Sequence, residues 1–507
     1  MKKVIGRVIG VIPAVLLQGL WYLLILSWLG RFATALNIGL NVLAVIFVLY
    51  LISKREEPAY KILWIVVIVS MPVLGATLFL FLGDKHTGKK LKQKIVMSEK
   101  ELGNVFGSGD GIIDIIDKED KRMAQTLSHV SDVTGFPIVN VDTVKYYPLG
   151  EKCFEDMCEA LKSAKSYIYV EYFIIEAGTF WNTLVDIMAE KAAEGVDVRV
   201  IYDDLGSIAT FSGVDMVKLV SKGIKCVPFN PFFIIKTQLN NRDHRKIMVI
   251  DGKVAFSGGI NLADEYINVT HKYGQWKDIA FRITGEGVKH YTYMFVEFWN
   301  AFSKDKIDAE VIRNSGKYCV AGDKNDRGYM LPYYDAPTRS EAVSNVLFIE
   351  LLSSATKYVW FYTPYLMLGE SLYDAFIRAA RRGVDVRIIM PGIPDKKTIY
   401  RISRSYYGAL MEAGVKIYEY KPGFVHAKAC IVDDRLAGIG TVNLDYRSLF
   451  LHYECYSLFY KADIIKDLKA DFEETQGKCH ECVMEEQKKG IVHAFINGAL
   501  RVIAPLL

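Results

Sequence analysis

The distribution of hydrophobic and polar positions divides the chain into two unlike parts. The region 1–84 contains three apolar runs without any ionisable residue, at 8–30, 32–53 and 62–83. About 20 helical residues cross the hydrocarbon core of a bilayer, so these runs predict N-terminal transmembrane helices. From about residue 130 onward, amphipathic helices alternate with short apolar strands. This alternation predicts an α/β fold built on a mostly parallel or mixed sheet.

The α/β part of the sequence repeats itself. Residues 163–172 read Ser-Ala-Lys-Ser-Tyr-Ile-Tyr-Val-Glu-Tyr, and residues 354–363 answer with Ser-Ala-Thr-Lys-Tyr-Val-Trp-Phe-Tyr-Thr. A repeat of this length indicates a duplicated domain rather than a solenoid unit. We therefore predict two similar lobes, at 126–320 and 330–480, around a shared central active site.

Two further segments flank the lobes. Residues 85–125 form a basic linker with five lysines close to the last apolar run. Three full spans give equal basic counts on the two sides, whereas a hairpin of the last two runs, with the first run at the interface, leaves the lysines and lobes in the cytoplasm. We expect this second arrangement, in a multi-pass protein of the cell membrane. Residues 485–507 predict a C-terminal amphipathic helix, which packs against its own lobe or lies at the lipid interface.

The composition narrows the function classes. Hydrophobic residues make up 51% of the chain and charged residues 24%, which fits a membrane anchor that carries a large aqueous domain. The 62 basic and 58 acidic residues leave a net charge of only +4, which argues against nucleic acid as a partner. The eight cysteines are scattered and read as reduced thiols. Cys479 and Cys482 have zinc-ligand spacing, but a second pair is missing, so we expect no metal there.

One polar constellation occurs once in each half. Each copy reads His-x-Lys-x4-Asp, with Gly and Asn seven and ten residues after the Asp. Residues two apart on a strand point to the same face, so His and Lys project together and form an anion site. The two Asp residues are interpreted as mainly structural. The first copy consists of His244, Lys246 and Asp251 with Gly258, Gly259 and Asn261, and the second of His426, Lys428 and Asp433 with Gly440, Thr441 and Asn443.

Two such copies that face one cavity suit a phosphodiester. One neutral imidazole can attack phosphorus to form a phosphohistidine, while the other, protonated, gives its proton to the departing alkoxide. The lysines, the asparagines and the Gly259 and Thr441 positions would bind the phosphoryl oxygens, so neither a metal nor another cofactor is expected. An alcohol could then replace water as the acceptor.

The doubled motif resembles the signature of the phospholipase D superfamily, and the sequence segments around it are most similar to those of bacterial cardiolipin synthases. These segments are Tyr202-Asp-Asp-Leu-Gly206, Gly258-Gly-Ile-Asn-Leu-Ala-Asp-Glu-Tyr266, Tyr362-Thr-Pro-Tyr365 and Asn443-Leu-Asp-Tyr-Arg-Ser448. The resemblance covers nearly the whole chain. Gly259 departs from it, because the superfamily often has Ser or Thr there, as at Thr441.

This resemblance implies phosphatidyl transfer between two phosphatidylglycerol molecules, with cardiolipin and glycerol as products. It implies His244 as the nucleophile and His426 as the general acid and later base. It also implies that Asp278 and Glu454, downstream of the two motifs, orient the histidines. The expected partners are phosphatidylglycerol and other anionic phospholipids in a membrane. A hydrolytic phospholipase D or nuclease, a transferase with another alcohol acceptor, and an inert membrane scaffold are the alternatives.

Overall fold

The computed structural model describes residues 16, 19–20, 30–54, 57–82, 88–107, 111–231, 240–317, 327–487 and 490–506. The chain forms two compact units. The smaller unit comprises residues 1–86, 232–241 and 490–507, and the larger, catalytic unit comprises residues 87–231 and 242–489.

The smaller unit is helical. Its buried apolar side chains include Tyr60 and Trp64, and the Trp64 ring lies 5.3 Å from the ring of Phe79. The C-terminal helix packs against the helix that carries Tyr60. The expectation that this tail packs against its own lobe is therefore wrong, because an amphipathic pattern identifies an apolar face but not the surface that covers it. The helices are Gly30–Ser53, Pro58–Ser70, Pro72–Leu82 and Ile491–Ile503, followed by a 3-10 turn at Ala504–Leu506.

The three apolar runs have different outcomes. Most of the run 8–30 lies outside the described residues, and the run 32–53 falls within one helix. The run 62–83 is divided between two helices, because Pro72 lacks an N–H group and restricts Met71, which has φ −140° and ψ 77°. Among the residues that the structure describes, no helix combines the length and the apolar character needed to cross a bilayer. The predicted transmembrane helices are thus not supported.

The catalytic unit contains two large mixed sheets. The first has seven strands in the order β2-β9-β7-β6-β3-β4-β5, and β3, β4 and β5 run parallel. Its strands are β2 (Thr143–Tyr147), β3 (Tyr167–Tyr172), β4 (Asp197–Asp203), β5 (Lys225–Phe229), β6 (Lys246–Ile250), β7 (Val254–Gly258) and β9 (Ala280–Thr284).

The second sheet repeats this topology. Its nine strands follow the order β1-β10-β17-β16-β15-β11-β12-β13-β18. The seven strands from β10 to β13 in this order correspond to the seven strands of the first sheet, and β1 and β18 are added at the edges. The prediction of two similar α/β lobes is therefore confirmed. The strands are β1 (Val139–Asn140), β10 (Tyr329–Asp335), β11 (Tyr358–Tyr362), β12 (Asp385–Pro391), β13 (Lys416–Tyr420), β15 (Ala429–Val432), β16 (Leu436–Gly440), β17 (Glu454–Tyr460) and β18 (Cys479–Glu481).

Helices cover the two sheets, and local signals set their ends. Ser212 and Asp215 form a capping box at the start of one helix. Gly195 and Gly383, with φ of 93° and 87°, follow equivalent helices and turn the chain into β4 and β12. The helices are Lys89–Leu102, Ile112–Glu119, Lys121–Thr134, Gly150–Lys162, Thr179–Ala193, Gly213–Ser221, Gly287–Phe302, Ala309–Asn314, Val343–Ser354, Glu370–Arg381, Lys397–Ser405, Tyr407–Glu412, Tyr446–Phe450, Ile464–Gly477 and Met484–Gln487, with a 3-10 turn at Asp264–Ile267.

Candidate active site

The two His-x-Lys segments lie at equivalent places in the two sheets. Lys246 is the first residue of β6, and Lys428 directly precedes β15. Both histidines and both lysines are buried. The Lys246 ammonium donates to the backbone carbonyl of His244 at 2.6 Å, and Lys428 makes the same bond to the carbonyl of His426. The structure therefore places His and Lys of each motif side by side, as the strand periodicity predicts.

Each histidine is paired with a carboxylate from the other lobe. His244 Nδ1 lies 2.8 Å from Glu454 Oε2, and His426 Nδ1 lies 2.6 Å from Asp278 Oδ2. Both carboxylates are completely buried. The implied association of Asp278 and Glu454 with the histidines thus has a definite geometry, and the pairing is crossed between the halves of the chain. The Nε2 atom of each ring is left as the nitrogen that can react.

Backbone contacts repeat the crossing. The His244 N–H donates to the Tyr453 carbonyl at 2.9 Å, and the His426 N–H donates to the Lys277 carbonyl at 2.7 Å. In each case the acceptor residue directly precedes the paired carboxylate. Two short strands from different lobes, β8 (Gln275–Lys277) and β14 (Gly423–Val425), pair beside His426. A single bridge between Asp243 and Tyr453 is the counterpart beside His244.

The four basic groups share one electrostatic environment. Burial is the main cause that lowers the pKa of His244 well below its ordinary value, and the charges of Lys246 and Lys428 add to it. Burial likewise lowers the pKa of His426 to about 4, with Lys428 adding to the effect and Asp278 opposing it. The pKa of Lys246 falls to about 8 and that of Lys428 to about 7, again mainly through burial. Such a site gains its positive charge when an anion enters.

Thr441 and Gly259 lie next to the two buried carboxylates. Thr441 Oγ1 donates to Glu454 Oε2. At the equivalent position a Cβ on Gly259 would lie 2.1 Å from Asp278 Oδ1. The hydroxyl that the first half lacks is therefore one that binds a buried carboxylate, and the close approach of Asp278 explains the glycine.

The two asparagines differ in their bonding. Asn261 accepts a hydrogen bond from the Ile174 N–H at 3.2 Å and donates to the Tyr266 hydroxyl at 2.7 Å. Asn443 Oδ1 is buried and accepts no hydrogen bond within the described residues. Asn261 therefore holds a pocket wall in this structure, since Tyr266 lies against the ring of His426.

The motif aspartates bind backbone at the far ends of β6 and β15. Asp251 accepts from the N–H groups of residues 165–167, which lead into β3. Asp433 accepts from the N–H groups of Thr356, Lys357 and Tyr358, which lead into β11. Both aspartates have positive φ, 53° and 51°. These contacts agree with the structural interpretation of the two residues and lie away from the histidines.

Two pocket residues escaped the sequence analysis. His452 lies with its ring centroid 6.4 Å from that of His244, and Trp276 lies 5.4 Å from His426. Each stands two residues before a paired carboxylate, on the same side of the backbone. That spacing was the signal that could have found them. Among the described residues, no three side chains of metal-binding type come together.

Two lobes of one topology that contribute a histidine, a lysine and a carboxylate each define a phospholipase D-type protein. The family model described as "Cardiolipin synthase, PLD-like domain" matches residues 157–299 and 348–476, and the model "Phospholipase_D-nuclease N-terminal" matches residues 39–83. The chain belongs to this cardiolipin synthase family of phospholipase D-like proteins.

Individual relatives support this family membership. A protein of Streptococcus mutans serotype c, described as uncharacterized, is 42% identical over 464 residues, which cover 91% of this chain and 99% of that protein. A cardiolipin synthase of a Geobacillus species (strain WCH70) is 32% identical over 495 residues, 95% of each chain. The solved phosphatidylserine synthase of Haemophilus influenzae Rd KW20 shares the fold, with a TM-score of 0.57 at 16% identity, over 75% of this chain and all of that one.

The crossed pairing predicts which histidine responds to which carboxylate. In protein labelled with ¹⁵N-histidine, Glu454→Gln should change the ring signals of His244 and leave those of His426, because an amide replaces the carboxyl group that contacts Nδ1 of His244. Asp278→Asn should do the reverse. His244→Ala and His426→Ala assign the signals by NMR. A response of His426 to Glu454→Gln would contradict the crossed arrangement.

The role of Asp433 predicts a loss of stability. Burial alone would raise the pKa of this carboxyl, but the three backbone N–H groups and the Thr356 hydroxyl together outweigh burial and lower it. Asp433→Ala should reduce the free energy of unfolding by about 1–3 kcal/mol at pH 7. Because the folded-state pKa is depressed, the part of this difference that depends on the charge of Asp433 should be lost as the pH falls below about 4.

Chemical denaturation of the variant and the unaltered chain, at pH 7 and at a pH below about 4, measures the difference in the free energy of unfolding. Glu350→Ala, at a side chain that is 46% exposed, serves as the control and should change the free energy of unfolding little. An equal change in the two variants would show that Asp433 does not stabilise the fold in this way.

Proposed function

We propose that the protein transfers a phosphatidyl group between two phosphatidylglycerol molecules and so forms cardiolipin and glycerol. The observation that carries the proposal is the crossed pair of histidine–carboxylate contacts, which leaves two reactive Nε2 atoms and two lysines in one buried site. Membership of the cardiolipin synthase family and the name of the Geobacillus relative point to the same reaction.

In the first step, His244 Nε2 attacks the phosphorus of the donor lipid. The N–P bond forms, the P–O bond to glycerol breaks, and His426 gives its proton to the glycerol alkoxide. The negative phosphodiester raises the pKa of His426 when it binds, which supplies the protonated form that burial disfavours. Glu454 accepts a hydrogen bond from the Nδ1–H group of His244 and stabilises the positive charge that develops on this ring.

In the second step, the hydroxyl group of the second phosphatidylglycerol gives its proton to His426 and attacks the phosphohistidine. The new O–P bond forms, and the N–P bond breaks to release neutral His244. Lys246 and Lys428, charged by the presence of the anion, stabilise the equatorial phosphoryl oxygens in both steps. The phosphohistidine keeps the transfer potential of the diester, so no nucleotide is consumed.

The division of labour between the histidines also has electrostatic support. Lys246, Lys428, His452 and His426 all lower the pKa of His244, which favours its neutral, nucleophilic form. The pKa of His426 is lowered against the opposing charge of Asp278. The charge of Asp278 thus supports the protonated form of His426, which a general acid requires.

We further propose that the smaller unit attaches the enzyme to the cell membrane, with the catalytic unit on the cytoplasmic side. The helices Gly30–Ser53 and Pro58–Ser70 expose many large apolar side chains, each between about 45% and 61% accessible, which is unusual for a water-facing surface. They include Ile38, Val42, Val45, Ile46, Leu49, Ile52, Ile62, Val66 and Val69. The lysine-rich start of the helix Lys89–Leu102 suits an anionic leaflet.

Incubation of the purified enzyme with labelled phosphatidylglycerol tests the reaction. We expect cardiolipin and glycerol, whereas phosphatidic acid and glycerol would indicate a hydrolase. His244→Ala and His426→Ala should each lower the rate by at least about a hundredfold, since each removes a proton-transferring or nucleophilic group. His426→Ala should accumulate a phosphatidyl adduct on His244, detected by mass spectrometry.

The surface pair of His129 and Glu341 offers a matched control. These side chains also form a histidine–carboxylate contact, at 2.5 Å, but the His129 side chain is 46% exposed. His129→Ala should therefore keep full activity. An adduct found only on His426 would reverse the assigned roles.

Vesicle flotation tests the membrane proposal. Val45 and Leu49 lie one turn apart on an exposed face, and Val45→Lys with Leu49→Lys should lower the fraction that floats with phosphatidylglycerol vesicles by at least about half. The control is Met97→Lys with Ile115→Lys, two exposed apolar positions of the catalytic unit. Equal flotation of both double variants and the unaltered chain would refute attachment through this surface.

A further inference from the structure

Comparison of the two halves can identify the residues of the site that have different functions on its two sides. A phosphorus atom between two histidines has the nucleophile on one side and the alcohol on the other. Residues that the halves share serve chemistry common to both sides. Residues that differ at equivalent positions can distinguish the two sides.

Tyr365 and Asp395 are such residues. The parallel bridges Ile175 to Leu262 and Leu366 to Leu444 show that Tyr365 is equivalent to Ile174. Asp395 stands four residues after the end of β12, at the sequence position that Ser207 has after β4. In space the counterpart of Ser207 is Ser403, which accepts a hydrogen bond from the equivalent backbone N–H group. The Tyr365 hydroxyl donates to Asp395 Oδ2 at 2.7 Å. The first half therefore has no tyrosine–carboxylate pair at this place.

In the first half, the hydroxyl of Ser207 forms its hydrogen bonds with backbone groups. The Ser207 hydroxyl donates to the Phe173 carbonyl at 3.0 Å and accepts from the Ile175 N–H at 3.1 Å. In the second half the Asp395 side chain is 15% exposed and Tyr365 is half-buried. The carboxylate is thus held by the Tyr365 hydroxyl and lies 3.9 Å from the exposed Lys396 ammonium, and a ligand can still reach it.

An aromatic wall connects this carboxylate with His426. The His426 ring lies 5.4 Å from Trp276 and 6.0 Å from Phe424, and Phe424 lies 6.3 Å from Tyr365. Beside His244 the position of Trp276 is taken by the polar His452. Aromatic faces pack against the C–H groups of a polyol, while a carboxylate accepts from its hydroxyls.

We infer that Tyr365 and Asp395 form the hydroxyl-recognition part of an alcohol site on the His426 side, which takes a vicinal diol. The inference rests on the proposed function. The glycerol group of the acceptor lipid presents a terminal hydroxyl, which loses its proton to His426 and forms the O–P bond as the N–P bond to His244 breaks. The neighbouring secondary hydroxyl donates to Asp395. Water offers no second hydroxyl, so this contact favours transfer over hydrolysis.

Competition between two small alcohols tests the site. The full-length enzyme is given labelled phosphatidylglycerol with equal concentrations of 1,2-propanediol and 1-propanol, and the two phosphatidyl alcohols and phosphatidic acid are quantified. All three products arise from one phosphohistidine, so their ratio does not depend on the rate of the first step. We expect the diol to be preferred about tenfold or more, as a hydrogen bond to a charged group allows.

Asp395→Ala should reduce the preference for the diol to nearly none and raise the share of phosphatidic acid. Tyr365→Phe, which removes only the hydroxyl that holds the carboxylate, should reduce the preference in part and serves if Asp395→Ala does not fold. Asp374→Ala, at an exposed carboxylate on the helix Glu370–Arg381, is the control and should keep the preference of the unaltered enzyme.

The outcomes separate the two proposals. An unaltered enzyme that forms no cardiolipin from phosphatidylglycerol refutes the proposed function. An enzyme that forms cardiolipin but shows no diol preference, or whose preference survives in both Asp395→Ala and Tyr365→Phe, overturns the alcohol site alone. A loss of preference in the two variants with the control unchanged supports it.

Discussion

The crossed contact between a histidine of one lobe and a carboxylate of the other is the interaction on which the site depends. Glu454 and Asp278 are fully buried, and each has the imidazole of the opposite lobe within 3 Å. Loss of this partner would leave a buried carboxylate oxygen without its hydrogen bond and would cost about 1–3 kcal/mol of folding free energy. The lobes must therefore dock before either histidine is oriented, and the folding of the catalytic unit and the assembly of its site are one event.

This arrangement also reduces the positive charge of the site before a substrate binds. Burial lowers the pKa of both histidines and both lysines, so the protein avoids holding several cations in a small space without a counterion. A phosphodiester supplies that counterion and restores the charges at the moment when they stabilise the reaction. The same burial that excludes water from a covalent intermediate thus makes the site responsive to its substrate.

The sequence was sufficient to predict the two lobes and the side-by-side His and Lys, because strand periodicity and a duplicated motif are local properties. It could not show that Glu454 serves His244, since spacing within one half carries no information about contacts between halves. The absence of a hydroxyl at Gly259 was visible, but its reason, the approach of Asp278, depends on tertiary packing. The prediction of one helix over 62–83 overlooked the proline at position 72, which signals a break, whereas nothing local in the sequence indicates the surface that covers the C-terminal helix.

The middle residue of each motif shows how the halves diverged without loss of the shared geometry. Arg245 lies between His244 and Lys246 and points to the opposite face, as alternation along an extended chain requires. Its guanidinium group is 2.5 Å from Glu171, lies 3.5 Å from the centre of the Phe298 ring and is completely buried.

Ala427, at the equivalent place, is also buried and adds no charge. An arginine there would need a carboxylate and an aromatic face of its own, because a buried cation without partners is strongly unfavourable. The face of the strand that points away from the phosphate is thus free to vary with its local packing, while the face that carries His and Lys is constrained by chemistry common to both lobes. Duplication therefore kept the constellation and left the supporting contacts to change, and these contacts are where the two sides of the site acquired different properties.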